Sequence, residues 1–594
     1  MTRSIGPVTR ARMVALGASL ALAAGAFALF FAQRQTGGLW VELTRALLIL
    51  MATFWLAWGA AQAALGLWPA PAPQPRRATP RGRCAILVPV HEEDPQATFA
   101  RIAAMDAALA DTPQAGLFDI AILSDTRSAH GAAREAAWYL ELLRSRDAEG
   151  RIFYRRRSSN AGRKAGNIED FLKTSGAAYE FALILDADSL MAPDTIIEMA
   201  RRMEAEPRLG LLQSLPGVIR ASSVFGRAMQ FSAALHSPIF ARGVARLQGE
   251  TGPFWGHNAM VRVRAFAESC ALPDLAGPPP FGGHILSHDY VEAALLARAG
   301  WIVRLDEDLS GSFEEGPENI LAHAKRDRRW CQGNLQHARL LAAPGLRPWS
   351  RFVFVQGILA YVSSLFWLGF LATTILAPAL RVEPDYFPLD GWSFPVLPPN
   401  ETTRTAGLII GVLGLLILPK LMIAVQAIRS GRAAGFGGAA RLMGSTLAEI
   451  ALSSVTAPIF LMFQTRSVLQ VLSGRDGGWP ASARGEGRLG LIESWQASRW
   501  ISVVGLAGLA ITWRLSPELV GWLIPVAGPM IAAPLVIWAT SLPSRALFAV
   551  PSETRPDPIL ARQDAIMADW SRGPAPGTDE TPATAAPAQE PQHV

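Results

Sequence analysis

Four stretches of this sequence end in side chains able to do chemistry. Asp186-Ala-Asp188 closes the apolar run 181–185, and Ser124-Asp125-Thr126 closes the run 117–123. His91-Glu92-Glu93 follows CAILVPV, and Ser287-His-Asp289 opens an amphipathic stretch that ends at Gly300-Trp301. Alternate side chains of an extended segment share a face, so Asp186 and Asp188 lie on the same side. Such a pair suits Mg²⁺ or Mn²⁺, which is held by one or two carboxylates plus phosphate oxygens rather than by a full protein cage. A carboxylate such as Asp289 can deprotonate a hydroxyl once it reaches within about 3 Å of that proton. The plainer reading of each stretch is a turn or a helix cap. D-x-D alone does not separate the two readings; its company does.

Gly162-Arg-Lys-Ala-Gly-Asn167 offers glycines for close backbone approach and Lys164 for a phosphate. Phe254-Trp-Gly-His-Asn258, with Trp255 and His257, is either an acceptor floor or a buried aromatic turn. Arg326-Asp-Arg-Arg329-Trp330 sits on a basic helix. It is either a positive flank to a membrane span or a flat face for a sugar beside a cation for a diphosphate.

Strands and helices alternate through 81–345: CAILVPV, LFDIAILSD, RIFYRR, FALILDAD and LGLLQS, with helical stretches between most of them. That order predicts an α/β domain on a mixed, mainly parallel sheet, with ligands beyond the carboxyl ends of the strands. The residues just past each apolar run are therefore those placed to act.

The rest of the chain is a different material. Among 594 residues, half are hydrophobic, and 55 Lys+Arg stand against 49 Asp+Glu. Runs 14–31, 46–68, 352–380, 406–425 and 519–540 approach or exceed the ~20 residues needed to cross a bilayer as a helix. Segment 446–463, broken at Pro458, and segment 500–513 are shorter or interrupted. Basic residues at the N-terminus and in the linker 76–83 put the large domain and both termini in the cytoplasm by the positive-inside rule. The division is 1–80 for the first spans and linker, 81–345 for the α/β domain, 346–545 for further spans, and 546–594 for a mostly disordered cytoplasmic tail. Glu449 inside an apolar segment faces either a hydrated path or interfacial water. Cys84, Cys270 and Cys331 have no paired spacing, so neither a disulfide framework nor a zinc site is indicated.

The order Asp125, Asp186-x-Asp188, Asp289, then Arg329-Trp330 before membrane spans resembles the processive family 2 glycosyltransferases, among them the cellulose and hyaluronan synthases. The strings SHDYVEAALLARAGW, RDRRWCQGNLQ and SGRDGGWP look like one branch, the glucans biosynthesis glucosyltransferase H family, over roughly 81–500. The resemblance implies a GT-A fold, UDP-glucose as donor, a divalent cation, and an inner-membrane enzyme building the linear β-1,2-glucan backbone of osmoregulated periplasmic glucans. By position it implies that Asp125 contacts the uridine with Glu92 beside it. Lys164 would meet the phosphates, and Asp186 with Asp188 the nucleotide and metal. Asp289 would be the general base, Arg329 would hold diphosphate, and Trp330, with Trp255 and His257, would carry the acceptor. Loop Ser473–Pro480 would close over the nucleotide with Arg475 on the diphosphate, unless it is a plain turn. His288 and Arg326 stand where the wider family has Glu and Gln, and Asp125 lacks a second Asp beside it. The resemblance also implies a need for acyl carrier protein and leaves self-association open; no nucleic-acid partner is expected. A cellulose-like synthase, a polyprenyl-phosphate glycosyltransferase, and a transporter with a nucleotide-binding domain are the rival readings.

Overall fold

The computed structural model describes residues 6–31, 39–69, 79–380, 402–476, 487–544 and 547–571. Helices α1 (Pro7–Phe31) and α2 (Leu39–Leu67) precede the α/β domain. There β1 (Cys84–Val90), α3 (Pro95–Ala110), β2 (Phe118–Ser124), α4 (Ala129–Arg146), β3 (Ile152–Arg156), α5 (Arg163–Ser175) and β4 (Phe181–Ile184) alternate. Next come β5 (Leu190–Met191), α6 (Pro193–Ala205), β6 (Leu209–Gln213), β7 (Gly217–Ile219) and α7 (Val224–Gln248). The domain ends with β8 (Thr251–Gly252), β9 (Ala259–Arg262), α8 (Val263–Ser269), α9 (His288–Ala299), β10 (Ile302–Leu305), β11 (Ser312–Glu315) and α10 (Ile320–Gln336).

The five apolar runs read as strands from the sequence become β1, β2, β3, β4 and β6. They lie in an eight-stranded sheet of order β3-β2-β1-β4-β9-β6-β10-β8, parallel except at β9, which runs antiparallel to both β4 and β6. A smaller sheet, β5-β11-β7, sits beside it. Near-continuous apolar strands suit a sheet covered on both faces, and successive side chains divide accordingly. Ile86 and Val88 join Phe99 and Trp138 in one core, whereas Ala85 and Leu87 join Ile168 and Leu296 in the other. Caps fix where several helices start. Ser128 Oγ accepts from the Gly131 N–H at 3.1 Å and Asn319 Oδ1 from the Ala322 N–H at 2.8 Å, each cap contributing about 1 kcal/mol. Because β1 to β4 run parallel, their C-terminal ends share one edge, and the acidic residues gather there.

Beyond α10 come α11 (Pro348–Leu376), α12 (Thr402–Arg429), α13 (Ala439–Leu472), α14 (Leu491–Leu515), α15 (Val520–Ile531) and α16 (Ala533–Thr540). Among the described residues α1, α2, α11, α12 and α13 are long and apolar enough to cross a membrane. Two sequence expectations need correction. Pro458 does not break the 446–463 segment, which lies inside the continuous 34-residue helix α13. Proline costs that helix one N–H to the Ser454 carbonyl, but α10 and α11 pack along it and hold it together. The run 519–540 is not one straight crossing: α15 and α16 meet at a 57° bend. Pro525 and Pro529 lie within α15, and Pro534 opens α16, where its ring excludes the Met530 carbonyl. Glu449 of α13 is buried and ion-paired, with both oxygens 2.8 Å from Lys420 Nζ of α12.

Both ends of the described chain return to the α/β domain. Arg12 of α1 donates to the Leu247 and Gln248 carbonyls at the end of α7, at 2.7 and 3.1 Å. After α17 (Pro551–Thr554), α18 (Pro558–Trp570) lies along α3, an element the sequence reading does not contain. Its Trp570 ring packs 5.3 Å from Trp138, and its Ile559 and Leu560 enter the core beneath.

Candidate active site

Asp125 and Asp186, two of the carboxylates at the strand ends, each meet a cation from elsewhere in the domain. Asp125 is buried, anchored by its N–H to the Val90 carbonyl at 2.8 Å, and bound in two places by Arg157, whose Nη2 lies 2.9 Å from Oδ2. Arg157 also binds Asp170 at 2.9 Å and the Arg163 carbonyl at 2.7 Å, so it ties β2 to the start of α5. Glu92 is engaged with the chain itself. Its Oε1 accepts from the Arg127 and Ser128 N–H groups at 2.9 and 2.8 Å, and its Oε2 from the Ser128 hydroxyl at 2.7 Å. Burial acts to raise the Glu92 pKa, but those hydrogen bonds outweigh it and hold the group below the usual carboxylate range. In this structure Glu92 braces the turn that carries Asp125.

Lys164 is the hinge of the site. Gly162 is left-handed (φ 66°) and starts α5 so that Lys164 reaches Asp186 and, at 2.7 Å, the Gly256 carbonyl. The D-x-D loop is pinned behind. The Asp186 N–H donates to Ser189 Oγ at 2.9 Å, Ser189 donates to Asn258 Oδ1 at 2.5 Å, and Asn258 Nδ2 donates to Ser312 Oγ at 2.8 Å. Asp188 is buried. The string Phe254–Asn258 passes directly over this loop. Trp255 is half-buried with its N–H on Gln213, and His257 Nε2 stands 3.5 Å from Glu314 Oε2.

Asp289 closes the cluster. It sits in the first turn of α9, and a Cβ placed on Gly256 would lie 3.8 Å from its Oδ2. Gly256 thus accepts from Lys164 through its carbonyl, while its α-carbon faces Asp289 with room for a Cβ between them. Burial pushes the Asp289 carboxyl up from its ordinary pKa; His288 opposes the rise and Glu292 adds to it. Burial disfavours the charge on His288 as well, but Glu292, whose Oε2 lies 2.9 Å from Nδ1, more than reverses that and the imidazole is raised. A carboxylate with a raised pKa beside a donor cluster is the arrangement expected of a general base.

Helix α10 supplies the outer wall. Residues 326, 329, 330 and 333 share a stripe at helical spacing, and Gly333 packs so tightly on Ser287 that a Cβ there would meet Ser287 Oγ at 2.2 Å. Arg329 is half-buried, and Trp330 is 44% exposed with the Arg326 guanidinium 4.4 Å over its ring. Arg326, unlike the Gln of the wider family, therefore occupies one face of that indole. The first part of the predicted loop docks here: Arg328 Nη2 donates to the Arg475 carbonyl at 2.8 Å, and Gln332 Nε2 to Asp476 Oδ1 at 2.7 Å. Asp476 also acts electrostatically on Arg163 beside Lys164. Gly477–Pro480 lie outside the described residues.

Three participants were not singled out in the sequence. Arg157 and Arg163 belong to a basic run, RRRSSNAGRK, that only folding divides between β3 and α5. Glu314 is half-buried, and its pKa is raised chiefly by desolvation and further by Asp188 and Asp186, against His257 and Arg326. Among the described residues no three His, Cys, Asp or Glu side chains are placed to hold a metal by themselves. The donor set nevertheless fits a divalent cation shared with phosphate oxygens. Asp186 and Asp188 flank Ala187, and both add to the rise that burial begins at Glu314, a concentration of negative charge that a cation would relieve.

These features agree with the comparisons. The family described as Glycosyl transferase family 2 matches residues 86–269, and Glycosyl transferase family group 2 matches 181–397. A protein of Cereibacter sphaeroides named Glucans biosynthesis glucosyltransferase H is 62% identical over 571 residues, covering 95% of this chain and 96% of that one. Proteins of the same name from Rhodopseudomonas palustris and Vibrio cholerae are 42% and 38% identical, each over 82% of this chain and over 68% and 70% of theirs. With its mixed sheet, its strand-end carboxylates and its flanking apolar helices, the chain belongs to the glucans biosynthesis glucosyltransferase H family of the family 2 glycosyltransferases.

Proposed function

We propose that this chain polymerises glucose from UDP-glucose into the linear β-1,2-glucan backbone of osmoregulated periplasmic glucans, with inversion at each transfer. The sheet domain and both termini would face the cytoplasm across the inner membrane. The observation that supports the reading is Gly256: its carbonyl accepts from Lys164, which binds Asp186, and its α-carbon faces Asp289, so that a Cβ placed there would lie 3.8 Å from Oδ2. That neighbourhood would bring donor phosphates and acceptor base together.

The acceptor hydroxyl oxygen attacks the anomeric carbon as the bond to the diphosphate oxygen breaks. The proton passes to Asp289, and the electron pair leaves with UDP. A divalent cation held by Asp186 and Asp188 would neutralise charge on the diphosphate. Lys164 and Arg329 stabilise the same charge from the protein side, and such preorganised groups are often the largest contribution to the rate. Trp330 and Trp255 offer apolar faces against which a sugar ring packs. The same-side placement of α1's start and α18 supports an even number of crossings between them, and the basic linker supports the cytoplasmic assignment.

Linkage analysis of product made from labelled UDP-glucose in membrane vesicles containing the full chain tests the reading. β-1,2-linked glucose polymer is expected. A β-1,4 polymer, a single glucose on a polyprenyl carrier, or no release of UDP would each overturn it.

A further inference from the structure

We propose that Arg101 is a positioning residue for the D-x-D loop, and that the C-terminal helix α18 fixes its aim through Arg220 and Glu315. This rests on the reading above that Asp186 and Asp188 receive the donor diphosphate with a cation. Arg101 lies on α3, is buried, and donates from Nη1 to the carbonyl of Ala187 at 3.2 Å, the residue between the two aspartates. Its Nη2 binds Glu315 Oε1 at 2.5 Å. The same Glu315 oxygen lies 3.9 Å from Nη1 of Arg220, a residue held in the left-handed region at φ 61°. Arg220 in turn binds α18, with Nη2 2.5 Å from Asp564 Oδ1 and Nη1 on Gln563.

The path is continuous from α18 to the loop, and it runs through β11. Successive residues of a strand point to opposite faces. Glu314 accordingly lies in the field of the aspartates, while Glu315 turns to Arg101 and Arg220. Helix α18 also braces α3 directly: Arg562 pairs with Asp111 at 2.8 Å, and Gln96 donates to the Trp570 carbonyl at 3.0 Å. Both supports of the Arg101 guanidinium, its own helix and its acidic partner, are thus held by the same thirteen-residue helix. The planar guanidinium fork serves a carbonyl and a carboxylate at once, which a lysine cannot do with the same geometry. Asp564 is largely exposed, its side chain 68% accessible, so its removal leaves the core beneath α18 untouched.

The test uses the full-length chain in detergent, with UDP and Mg²⁺ as the calorimetric probe and the melting temperature of the ligand-free protein as a second readout. Arg101→Lys is expected to weaken UDP–Mg²⁺ binding about tenfold or more, the scale of outer-shell changes around a metal site, with the melting temperature near wild type. Asp564→Ala is expected to weaken it about two- to fivefold, as for a largely exposed ion pair. Asp564→Ala should add nothing in the Arg101→Lys background, because both act on one path. Wild-type affinity in Arg101→Lys, or a loss that only tracks a lowered melting temperature, overturns the positioning role. Wild-type affinity in Asp564→Ala, or additivity of the two changes, overturns the link to α18. Asp188→Asn is run beside them. If it binds UDP–Mg²⁺ like wild type, the donor-site reading itself fails, whatever the other variants show.

Discussion

The strand-end carboxylates and the helix-borne carboxylate are held in opposite ways. Asp125 and Asp186 each meet a cation from the β3–α5 segment, Arg157 and Lys164 respectively. Asp289, on the other side of Gly256, is half-buried; desolvation raises its pKa against the opposing His288 imidazole and backbone N–H groups. One residue type is thus set in two environments. Paired carboxylates fix the cations beside them, whereas desolvation disfavours the charge on one without such a cation and raises its pKa. What separates them is the element that carries them. Parallel strands deliver the residues just past them to one edge, where Arg157 after β3 and Lys164 of α5 also arrive. The first turn of α9 instead sets its carboxylate near Gly256, which has no side chain to offer it.

The sharpest way to break this contrast is Asp289→Asn. If Asp289 serves the acceptor, the change lowers kcat by about a thousandfold, within the usual range for a lost general base, and UDP affinity stays at wild type. Steady-state kinetics and UDP titration decide it: a parallel collapse of UDP affinity would move Asp289 to the donor side and erase the distinction.

Arg157→Leu probes the other half. Both partners of the Arg157–Asp125 pair are buried, with side chains 10% and 7% exposed, and stranding the carboxylate should cost about 3–5 kcal/mol of stability. Denaturation in detergent measures the loss. Adding Asp125→Leu should restore most of it, because no unpaired buried carboxylate is left; Asp170, the other partner of Arg157, is half exposed. If stability returns while the donor KM stays raised, Asp125 also serves the nucleotide, as its place in the motif order implies.

The smallest expected effect is a shift in pH dependence. Asp289 must be ionised to accept a proton, so kcat/KM should fall as pH drops through a pKa lying above the usual carboxylate range. His288 holds that pKa down, while Glu292 pushes it up. His288→Gln removes the restraining cation, so the acid limb should move to higher pH by about half a unit to one unit. A limb that does not move, or moves to lower pH, would show that the imidazole's charge has no grip on Asp289.

Much of this was legible in the sequence because it is local. Five strands announce themselves as apolar runs, with carboxylates just past two of them at 125, 186 and 188, and Asp289 opens the helix that begins at 288. The same local pattern misjudged the helices near the prolines. Pro458 leaves α13 continuous because α10 and α11 hold it, whereas 519–540 bends between Pro529 and Pro534. Proline removes a donor in both places, and only packing decides whether the helix survives that. Glu92 shows a related limit. Its oxygens accept from Arg127 and Ser128, partners that its position in the chain does not announce.

The sequence by itself determined the alternation that makes a mainly parallel sheet, the apolar lengths suited to crossing a membrane, and the residues at the strand ends. These follow from periodicity and residue type, which are properties of neighbours in the chain. Only the tertiary structure decided which cation meets which carboxylate, that Gly256 stands between Lys164 and Asp289, that Glu314 lies in the field of Asp186 and Asp188, and that α18 returns to α3. The partners in those contacts lie from 22 to more than 400 positions apart. Ion pairing and desolvation depend on distance in space and on burial, which no local pattern encodes.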